Sequence, residues 1–323
     1  MDARYLHFDP CPFLENPLHQ TYFSSFKFLV KDPVSTSKII PLSDGDKIVV
    51  EVTTPVNWTQ TSPTVLCVHG FGGSHQSSYL CRLTNRLDPL GIRTVRLNMR
   101  GFGSGRGFAK QVYHCGSSED VFEVIKVLKE ESPLSPIILV GFSSGGNIVL
   151  KMAGELGEAG SFFIDRVIAV SPPVDLFYSM SKMSQASEGI YERYFYRKFR
   201  KHILELYEMF PDIPRVNLPE KLSVADFNTL YIVPRSGFVG LEDYYAKCSS
   251  VHLVGDISPP CKILFSEDDP IVPSHSLDGY RLPSHIEIHK TKQGGHMGYL
   301  GNPLRKRGFF WLDSVLADWI LES

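Results

Sequence analysis

The sequence predicts an α/β protein with a mostly parallel central sheet, flanking helices and one inserted helical segment. From about residue 46, short runs rich in β-branched residues alternate with helical patterns, as in parallel strands joined by crossover helices. The alternation stops near residue 173, where a segment dense in aromatic residues and methionine begins, and strand patterns resume at residue 261. We therefore predict a core in two parts, residues 1–173 and 241–323, interrupted by a helical lid at 174–240.

The first part of the core is predicted to contain five strands and three helices. The strand at 64–68 is almost entirely apolar, as expected for a strand covered on both faces. Ser117, three residues before Asp120, predicts a capping box at the start of the second helix. The predicted strands are 47–52, 64–68, 92–97, 137–140 and 167–170, and the predicted helices are 77–87, 121–129 and 144–156.

The inserted segment has the spacing of a helix with one buried face. Six apolar residues recur at intervals of three and four, which is the period of such a face. Strands are then predicted at 261–265 and 286–288, and an amphipathic helix at 309–321. The six residues are Tyr191, Phe195, Phe199, Ile203, Leu206 and Phe210.

Composition excludes several other classes of protein. The 323 residues include 33 Lys and Arg against 35 Asp and Glu, so the formal net charge of −2 lacks the basic excess of a nucleic-acid-binding protein. With 43% hydrophobic and 21% charged residues, the chain can bury a large core and does not resemble a disordered protein. The six cysteines are scattered without a CxxC pair, which favours reduced thiols over disulfides or a zinc site.

The N-terminal segment and the apolar runs indicate a soluble intracellular protein. Charged residues and prolines interrupt the first ten residues, which therefore lack the apolar core of a secretory signal. The longest apolar runs, such as residues 137–140, are far shorter than the ~20 residues that span a bilayer. We expect a cytoplasmic location.

Residues 141–145, Gly-Phe-Ser-Ser-Gly, have the GxSxG pattern of a nucleophile elbow. An apolar strand precedes the motif and a helical pattern follows it, so a tight turn would hold the Ser143 hydroxyl clear of the backbone. The alternative for so short a motif is a glycine-rich turn without catalytic function.

A nucleophilic serine needs a base and an acid that orients the base. Asp268 and Asp269 follow the strand at 261–265, and His296 lies in a glycine-flanked loop after the strand at 286–288. The chain order Ser, Asp, His is that of the α/β-hydrolases, and parallel strands bring the three loops to one sheet edge. We predict Ser143, Asp269 and His296 as the catalytic residues, with Asp268 orienting the loop through backbone hydrogen bonds.

The loop His69-Gly70-Phe71-Gly72-Gly73 directly follows the strand at 64–68, where such enzymes supply one backbone N–H of the oxyanion hole. The second N–H comes from the residue after the nucleophile. These positions predict Phe71 and Ser144 as the oxyanion-hole residues, with His69 bracing the loop.

With these motifs the chain resembles the YheT-like branch of the α/β-hydrolases, which includes bacterial predicted esterases, plant embryogenesis-associated proteins and animal lipases. It departs from the common pattern at Ser144, usually leucine, and at Phe102, usually cysteine. The resemblance implies ester hydrolysis without a metal or organic cofactor, on glycerolipid or medium-chain acyl esters. It rests further on Asn16-Pro17-Leu18-His19-Gln20-Thr21, Asn98-Met99-Arg100-Gly101, Asn147, Lys151, Gly237-Phe238, Asp243-Tyr244-Tyr245 and Ser249-Ser250.

Three other features allow alternative interpretations. The glycine-rich residues 101–107 could bind phosphate, but no helix pattern follows them, so a loop near the site mouth is favoured. His285, Glu287 and His289 alternate along one strand and could hold a metal, although a solvated strand face is favoured. A basic cluster in the inserted segment could contact an anionic membrane or receive a charged substrate, although a solvated helix face is favoured. The cluster is Arg193, Arg197, Lys198, Arg200, Lys201 and His202.

Two other functions stay open at this point. An acyltransferase would use the same serine and pass the acyl group to an alcohol or thiol. A non-catalytic binding protein would be expected to lack one of the three catalytic residues, and all three positions are filled. The expected partner is a small or lipid-like ester, with no nucleic acid and no obligate protein partner.

Overall fold

One mixed sheet of nine strands lies at the centre of the described residues. The computed structural model describes residues 3–27 and 30–322, without the side chains of residues 187 and 188, so the predicted ranges that begin at residue 1 or end at residue 323 extend beyond it. The strands are β1 (Arg4–Tyr5), β2 (Thr36–Pro41), β3 (Lys47–Thr53), β4 (Thr64–Val68), β5 (Arg93–Asn98), β6 (Ile137–Phe142), β7 (Arg166–Val170), β8 (Cys261–Ser266) and β9 (Ile286–Thr291).

The strand order β1-β9-β8-β7-β6-β4-β5-β3-β2 confirms the predicted fold, with parallel pairing from β1 to β5. At the other edge, β3 pairs antiparallel with both β2 and β5. The prediction of parallel strands from residue 46 was wrong for this edge. The five residues between β2 and β3 are too few for a parallel crossover, so the two strands form a hairpin.

Helices cover both faces of the sheet. Alternate residues of β4 point to opposite layers. Val65 and Cys67 pack with the helices at 78–87 and 311–321, whereas Leu66 and Val68 pack with the helices at 118–131 and 144–156. The helices are α1 (Pro17–Ser24), α2 (Ser78–Leu87), α3 (Ser118–Glu131), α4 (Ser144–Leu156), α5 (Leu176–Gln185), α6 (Ile190–Met209), α7 (Val224–Phe227), α8 (Val233–Arg235), α9 (Leu241–Cys248) and α10 (Trp311–Leu321).

Helix α3 begins without the predicted capping box. The Ser117 hydroxyl makes no cap hydrogen bond to the helix and instead accepts one from the His114 amide at 2.9 Å. Asp120 is also occupied, because both of its oxygens accept hydrogen bonds from the Arg100 guanidinium at 2.8 Å. The prediction of a capping box was wrong because both side chains have partners outside the helix.

The aromatic segment between β7 and β8 folds into helices, and α6 carries its predicted buried face. Phe199, Ile203 and Leu206 are buried, whereas Tyr191 and Phe195 are partly buried against the same core. The limits 174–240 and the role of this segment as a lid stay predictions.

Across residues 3–27 and 30–322, none of the helices has the combined length and apolarity needed to cross a membrane. The cytoplasmic location stays a prediction.

Candidate active site

The turn after β6 holds Ser143 in a strained backbone conformation. Its φ of 51° and ψ of −124° lie where residues with a Cβ are uncommon, and α4 begins at the next residue. A Cβ at Gly141 would lie 2.4 Å from the Gly145 carbonyl oxygen, and a Cβ at Gly145 would lie 2.5 Å from the carbonyl oxygens of Val68 and His69. Both glycines of the GxSxG pattern are therefore sterically required, and the turn has the geometry of a nucleophile elbow.

Ser143, His296 and Asp269 form a continuous row of hydrogen bonds. His296 Nε2 lies 2.8 Å from Ser143 Oγ, and His296 Nδ1 lies 2.8 Å from Asp269 Oδ2. If Nδ1 carries the proton and donates it to the carboxylate, Nε2 accepts the hydrogen bond from the serine hydroxyl. This arrangement can remove the Ser143 proton as the oxygen attacks a carbonyl carbon. The side chains come from the ends of β6, β8 and β9, and Ser143 and His296 are 153 positions apart.

The two neighbouring aspartates after β8 have different partners. Asp269 is buried, and its Oδ1 accepts hydrogen bonds from the amides of Ile271 at 2.8 Å and Val272 at 2.9 Å, which leaves Oδ2 for the histidine. Asp268 Oδ1 accepts a hydrogen bond from the Gly295 amide at 2.9 Å. Asp269 therefore contacts His296 directly, whereas Asp268 ties the loop after β8 to the loop that carries His296.

The loop after β4 lies beside the nucleophile, since a Cβ at Gly70 would be 3.1 Å from the Ser143 Cβ. The amides of Gly70 and Gly72 donate to tyrosine hydroxyls at 2.9 and 2.7 Å. Within the described residues the Phe71 amide between them donates no hydrogen bond. The Ser144 amide is the first of α4 and has no intrahelical acceptor. These two N–H groups are available for an oxyanion, and they belong to the two residues predicted for that role.

His69 is fully buried beneath this loop. Its Nδ1 lies 2.7 Å from the Gly70 carbonyl oxygen, and its Nε2 accepts a hydrogen bond from the Met99 amide at 3.2 Å. Burial lowers the pKa of His69 to about 4, so the ring is neutral at pH 7. Both nitrogens are bonded to backbone, which is the arrangement of a residue that braces the loop.

A cavity of about 1060 Å³ opens beside Ser143 and His296. Its walls come from α1 and the residues after it, the loop at 70–77 with the start of α2, the glycine-rich loop after β5, and α6. Phe71 stacks on Phe199 of α6 with 3.9 Å between ring centroids. The aromatic and aliphatic lining and this volume are typical of a pocket for a largely apolar small molecule.

Helix α1 positions the histidine loop, a role that the sequence did not reveal. The His296 amide donates to Thr21 Oγ1 at 2.9 Å. The fully buried Gln20 exchanges two hydrogen bonds with the Leu300 backbone, at 3.0 and 2.7 Å. A Cβ at Gly295 would lie 2.4 Å from a backbone oxygen of α1, so a glycine is required there. The only signal was the N-terminal box of the family resemblance, and a contact across 275 positions leaves no local pattern.

The glycine-rich residues 101–107 form a loop that lines the cavity through Gly101, Phe102, Gly103 and Arg106. The loop contains one short 3₁₀ turn, and the next helix begins only at Ser118. It therefore lacks the loop-to-helix geometry of a phosphate-binding motif.

His285 directly precedes β9 and His289 lies within it, and each ring has a hydrogen-bond partner from the protein. His285 Nε2 lies 2.7 Å from the Ile257 carbonyl oxygen, and His289 Nε2 lies 3.0 Å from Glu287 Oε2. In the part of the chain that the structure describes, no group of three or more His, Cys, Asp and Glu side chains could hold a metal ion.

The basic cluster of α6 is divided by the fold. Arg197, Lys198 and Lys201 are exposed, as expected for a solvated face, but His202 is only 6% exposed. Including His202 in a surface cluster was therefore wrong, because its ring packs against Phe102 with 4.1 Å between centroids.

The elbow, the row of three side chains and the mostly parallel sheet are together the features of an α/β-hydrolase. The chain belongs to the alpha/beta hydrolase fold family, which it matches over residues 63–303. Its relatives confirm the resemblance to the YheT-like branch: YheT of Escherichia coli (strain K12) is 26% identical over 285 residues, which cover 87% of this chain and 83% of the relative.

Two further relatives have names that state lipid substrates. Phospholipase ABHD3 of Homo sapiens is 23% identical over 300 residues, which cover 90% of this chain and 73% of the relative. Monoacylglycerol lipase of Saccharomyces cerevisiae is 25% identical over 266 residues, which cover 79% of this chain and 58% of the relative. Among solved structures, Est1E from Butyrivibrio proteoclasticus bound to ferulic acid has a TM-score of 0.55 at 16% identity, covering 88% of this chain and 98% of that one. This last likeness supports the fold alone.

Proposed function

We propose that the protein hydrolyses carboxylic esters through a covalent acyl-enzyme. The observation that carries the proposal is the row of hydrogen bonds from Ser143 through His296 to Asp269, with the serine on a strained elbow. Relatives named as a phospholipase and a lipase support the same reaction class.

In the proposed reaction, Ser143 Oγ attacks the ester carbonyl carbon while His296 Nε2 takes the hydroxyl proton. The negative charge that develops on the carbonyl oxygen is stabilised by the N–H groups of Phe71 and Ser144. The intermediate collapses as His296 gives its proton to the departing alcohol oxygen, which leaves an ester on Ser143. Water then attacks this ester, His296 again accepts and returns the proton, and the free acid departs. Asp269 stays ionised and holds the imidazole in the required tautomer.

The cavity suits an acyl ester rather than a small polar ester. Apolar and aromatic side chains of the loop at 70–77, α1, the start of α2 and α6 line much of its wall, including Phe71 and Phe195. Burial of an acyl chain there contributes ~0.8 kcal/mol for each methylene removed from water. We therefore expect kcat/KM to rise with acyl length until the chain fills the cavity.

We also propose that the cavity mouth contacts a lipid surface. Leu18 and Tyr22 of α1 and Ile190 and Tyr194 of α6 line the cavity and are exposed by 39, 61, 57 and 55%. The exposed basic residues of α6 lie beside them and favour anionic lipid. We expect the protein to sediment with phosphatidylserine-containing vesicles but not with pure phosphatidylcholine vesicles. Equal recovery with both would contradict the proposed attraction of the basic residues of α6 to anionic lipid.

The test is hydrolysis of p-nitrophenyl esters of increasing acyl length by the wild type, Ser143→Ala and a matched Ser161→Ala control. Ser161 is an exposed serine outside the cavity lining. Loss of the nucleophile is expected to lower kcat by roughly 10⁴-fold or more, whereas Ser161→Ala should stay near the wild type. A fluorophosphonate probe should label the wild type and the control only. Equal turnover or equal labelling of Ser143→Ala would refute the proposal.

A further inference from the structure

Helix α6 presents two polar side chains to the cavity, one helical turn apart. Lys198 and His202 are four residues apart, so they lie on the same face of the helix, and both line the cavity. The His202 ring lies under the glycine-rich loop, where a Cβ on Gly101 would be 2.7 Å from its Cε1. Neither residue belongs to the row of side chains that would carry out the chemistry.

His202 Nε2 is buried without a hydrogen-bond partner among the described residues. Burial, together with the charge of Arg106, lowers the pKa of His202 to about 4, so the ring is neutral at pH 7. A buried ring nitrogen without a partner is costly, and most buried polar atoms in proteins are paired. The nitrogen lies beneath Gly101, where a Cβ would be 2.9 Å away, so a ligand atom in the cavity becomes its partner only with a shift of the glycine-rich loop.

The charged residues of the cavity wall are mostly basic. Four cations and one carboxylate line it, an excess of 4 − 1 = 3 positive charges. Three of the cations have carboxylate partners: one pairs with Asp32 outside the lining, and two share Glu205. The lining cations are Lys27, Arg106, Lys198 and Lys201.

Lys198 is the lining cation that has no carboxylate partner in the described part of the chain. Its stem packs on the oxyanion loop, since its Cδ lies 3.1 Å from the position of a Cβ on Gly72. Its ammonium group lies 5.5 Å from the Tyr194 ring centroid at the mouth of the cavity. An ammonium group without a carboxylate partner, beside the loop that would hold the ester carbonyl, can reach a second group of the same substrate.

We propose that Lys198 and His202 form a subsite for a phosphate carried by the alcohol part of the substrate. The acyl chain is apolar and would lie against the aromatic and aliphatic residues of the lining, which leaves the polar groups of Lys198 and His202 to the alcohol part. The Lys198 ammonium pairs with the phosphate, and with a shift of the glycine-rich loop the His202 Nε2–H donates a hydrogen bond to a phosphate oxygen. This inference rests on the proposed ester hydrolysis and names its substrate class: acyl esters of phosphate-bearing alcohols.

The test measures binding in Ser143→Ala protein, which cannot consume the ligand by the proposed reaction. Titration calorimetry compares octanoyl glycerol phosphate with monooctanoylglycerol, in the Ser143→Ala background alone and combined with Lys198→Met, Lys198→Arg or Arg197→Met. Arg197 is the matched control, because it removes the same charge from the same helix outside this cavity. Inorganic phosphate is titrated as a third ligand.

We expect the phosphate ester to bind about tenfold or more tightly than the neutral ester, with this preference lost in Lys198→Met and retained in Lys198→Arg and Arg197→Met. Equal binding of both esters, or equal effects of Lys198→Met and Arg197→Met, would overturn the subsite. Inorganic phosphate that binds as tightly as the phosphate ester would assign the site to the free anion instead. Turnover of p-nitrophenyl octanoate by the wild type tests the proposed hydrolysis separately, so the two failures are distinguishable.

Discussion

The carboxyl edge of the sheet and the helices that wall the cavity contribute to the site in different ways. At the sheet edge, Ser143, Asp269 and His296 each follow a strand within a few residues, so the backbone of the strand sets their positions. In the walls, α1 and α6 reach the site through contacts between residues far apart in the chain, such as Thr21 with His296. We therefore expect the sheet edge to determine the proposed reaction and the helical walls to determine alignment and substrate choice.

The largest expected effect lies at the sheet edge and separates the two adjacent aspartates. Asp269→Asn should lower kcat by roughly 10⁴-fold, because an amide cannot hold the His296 Nδ1–H in the required tautomer. Asp268→Asn should cost about tenfold or less, since it weakens the hydrogen bonds from Gly295 and Ser266 but leaves the contact of Asp269 with His296 in place. The measurement is kcat for p-nitrophenyl esters with both variants. The reverse ranking would assign the orienting role to Asp268.

Two buried histidines, one at the sheet edge and one in a wall, should make the stability of the protein depend on pH in the same way. Burial lowers the pKa of both His69 and His202 to about 4, against about 6.5 in an unfolded chain. Between pH 6.5 and pH 4 the unfolded chain binds protons that the folded chain does not, so stability falls as the pH falls through this window. Each histidine contributes a loss of up to about 3 kcal/mol, complete near pH 4 and absent above pH 6.5.

His202→Gln removes one of these contributions while keeping a polar side chain. The free energy of unfolding of the variant should therefore decrease less steeply from pH 6.5 to pH 4, by up to about 1.4 kcal/mol per pH unit. Urea unfolding at a series of pH values measures this slope. Parallel pH profiles of variant and wild type would show that His202 does not remain neutral in the folded protein.

The difference between the sheet edge and the helical walls also explains which features could be predicted from the sequence. The apolar strand β4 and the elbow glycines are encoded locally, because a covered strand and a tight turn each impose their own composition. The edge strands β1 and β2 were missed because they are short or partly exposed, and pairing partners decide whether such segments become strands. Burial of His202 could not be foreseen either, since it depends on Phe102 from a distant loop.

Removing the contact between α1 and the histidine loop should affect turnover more than binding. Thr21→Val keeps the shape of the side chain but leaves the His296 amide without its acceptor, so we expect kcat to fall about tenfold. KM should change little, because the ester would still fill the cavity. Thr21→Ser retains the hydroxyl and serves as the control. A rise in KM with unchanged kcat would mean that Thr21 shapes the cavity rather than aligning His296.

The smallest expected effect concerns the start of α1. Asn16 Oδ1 accepts a hydrogen bond from the Leu18 amide at 2.8 Å, so this residue caps the helix that carries Gln20 and Thr21. Asn16→Ala should lower the free energy of unfolding by ~1 kcal/mol, and Asn16→Asp should retain the cap. Because the helix also holds the histidine loop, kcat of the alanine variant should fall about twofold to threefold, less than for Thr21→Val. Urea unfolding and kcat are measured on the same preparations. A loss of stability with unchanged kcat would show that fraying of the first turn of α1 does not reach His296.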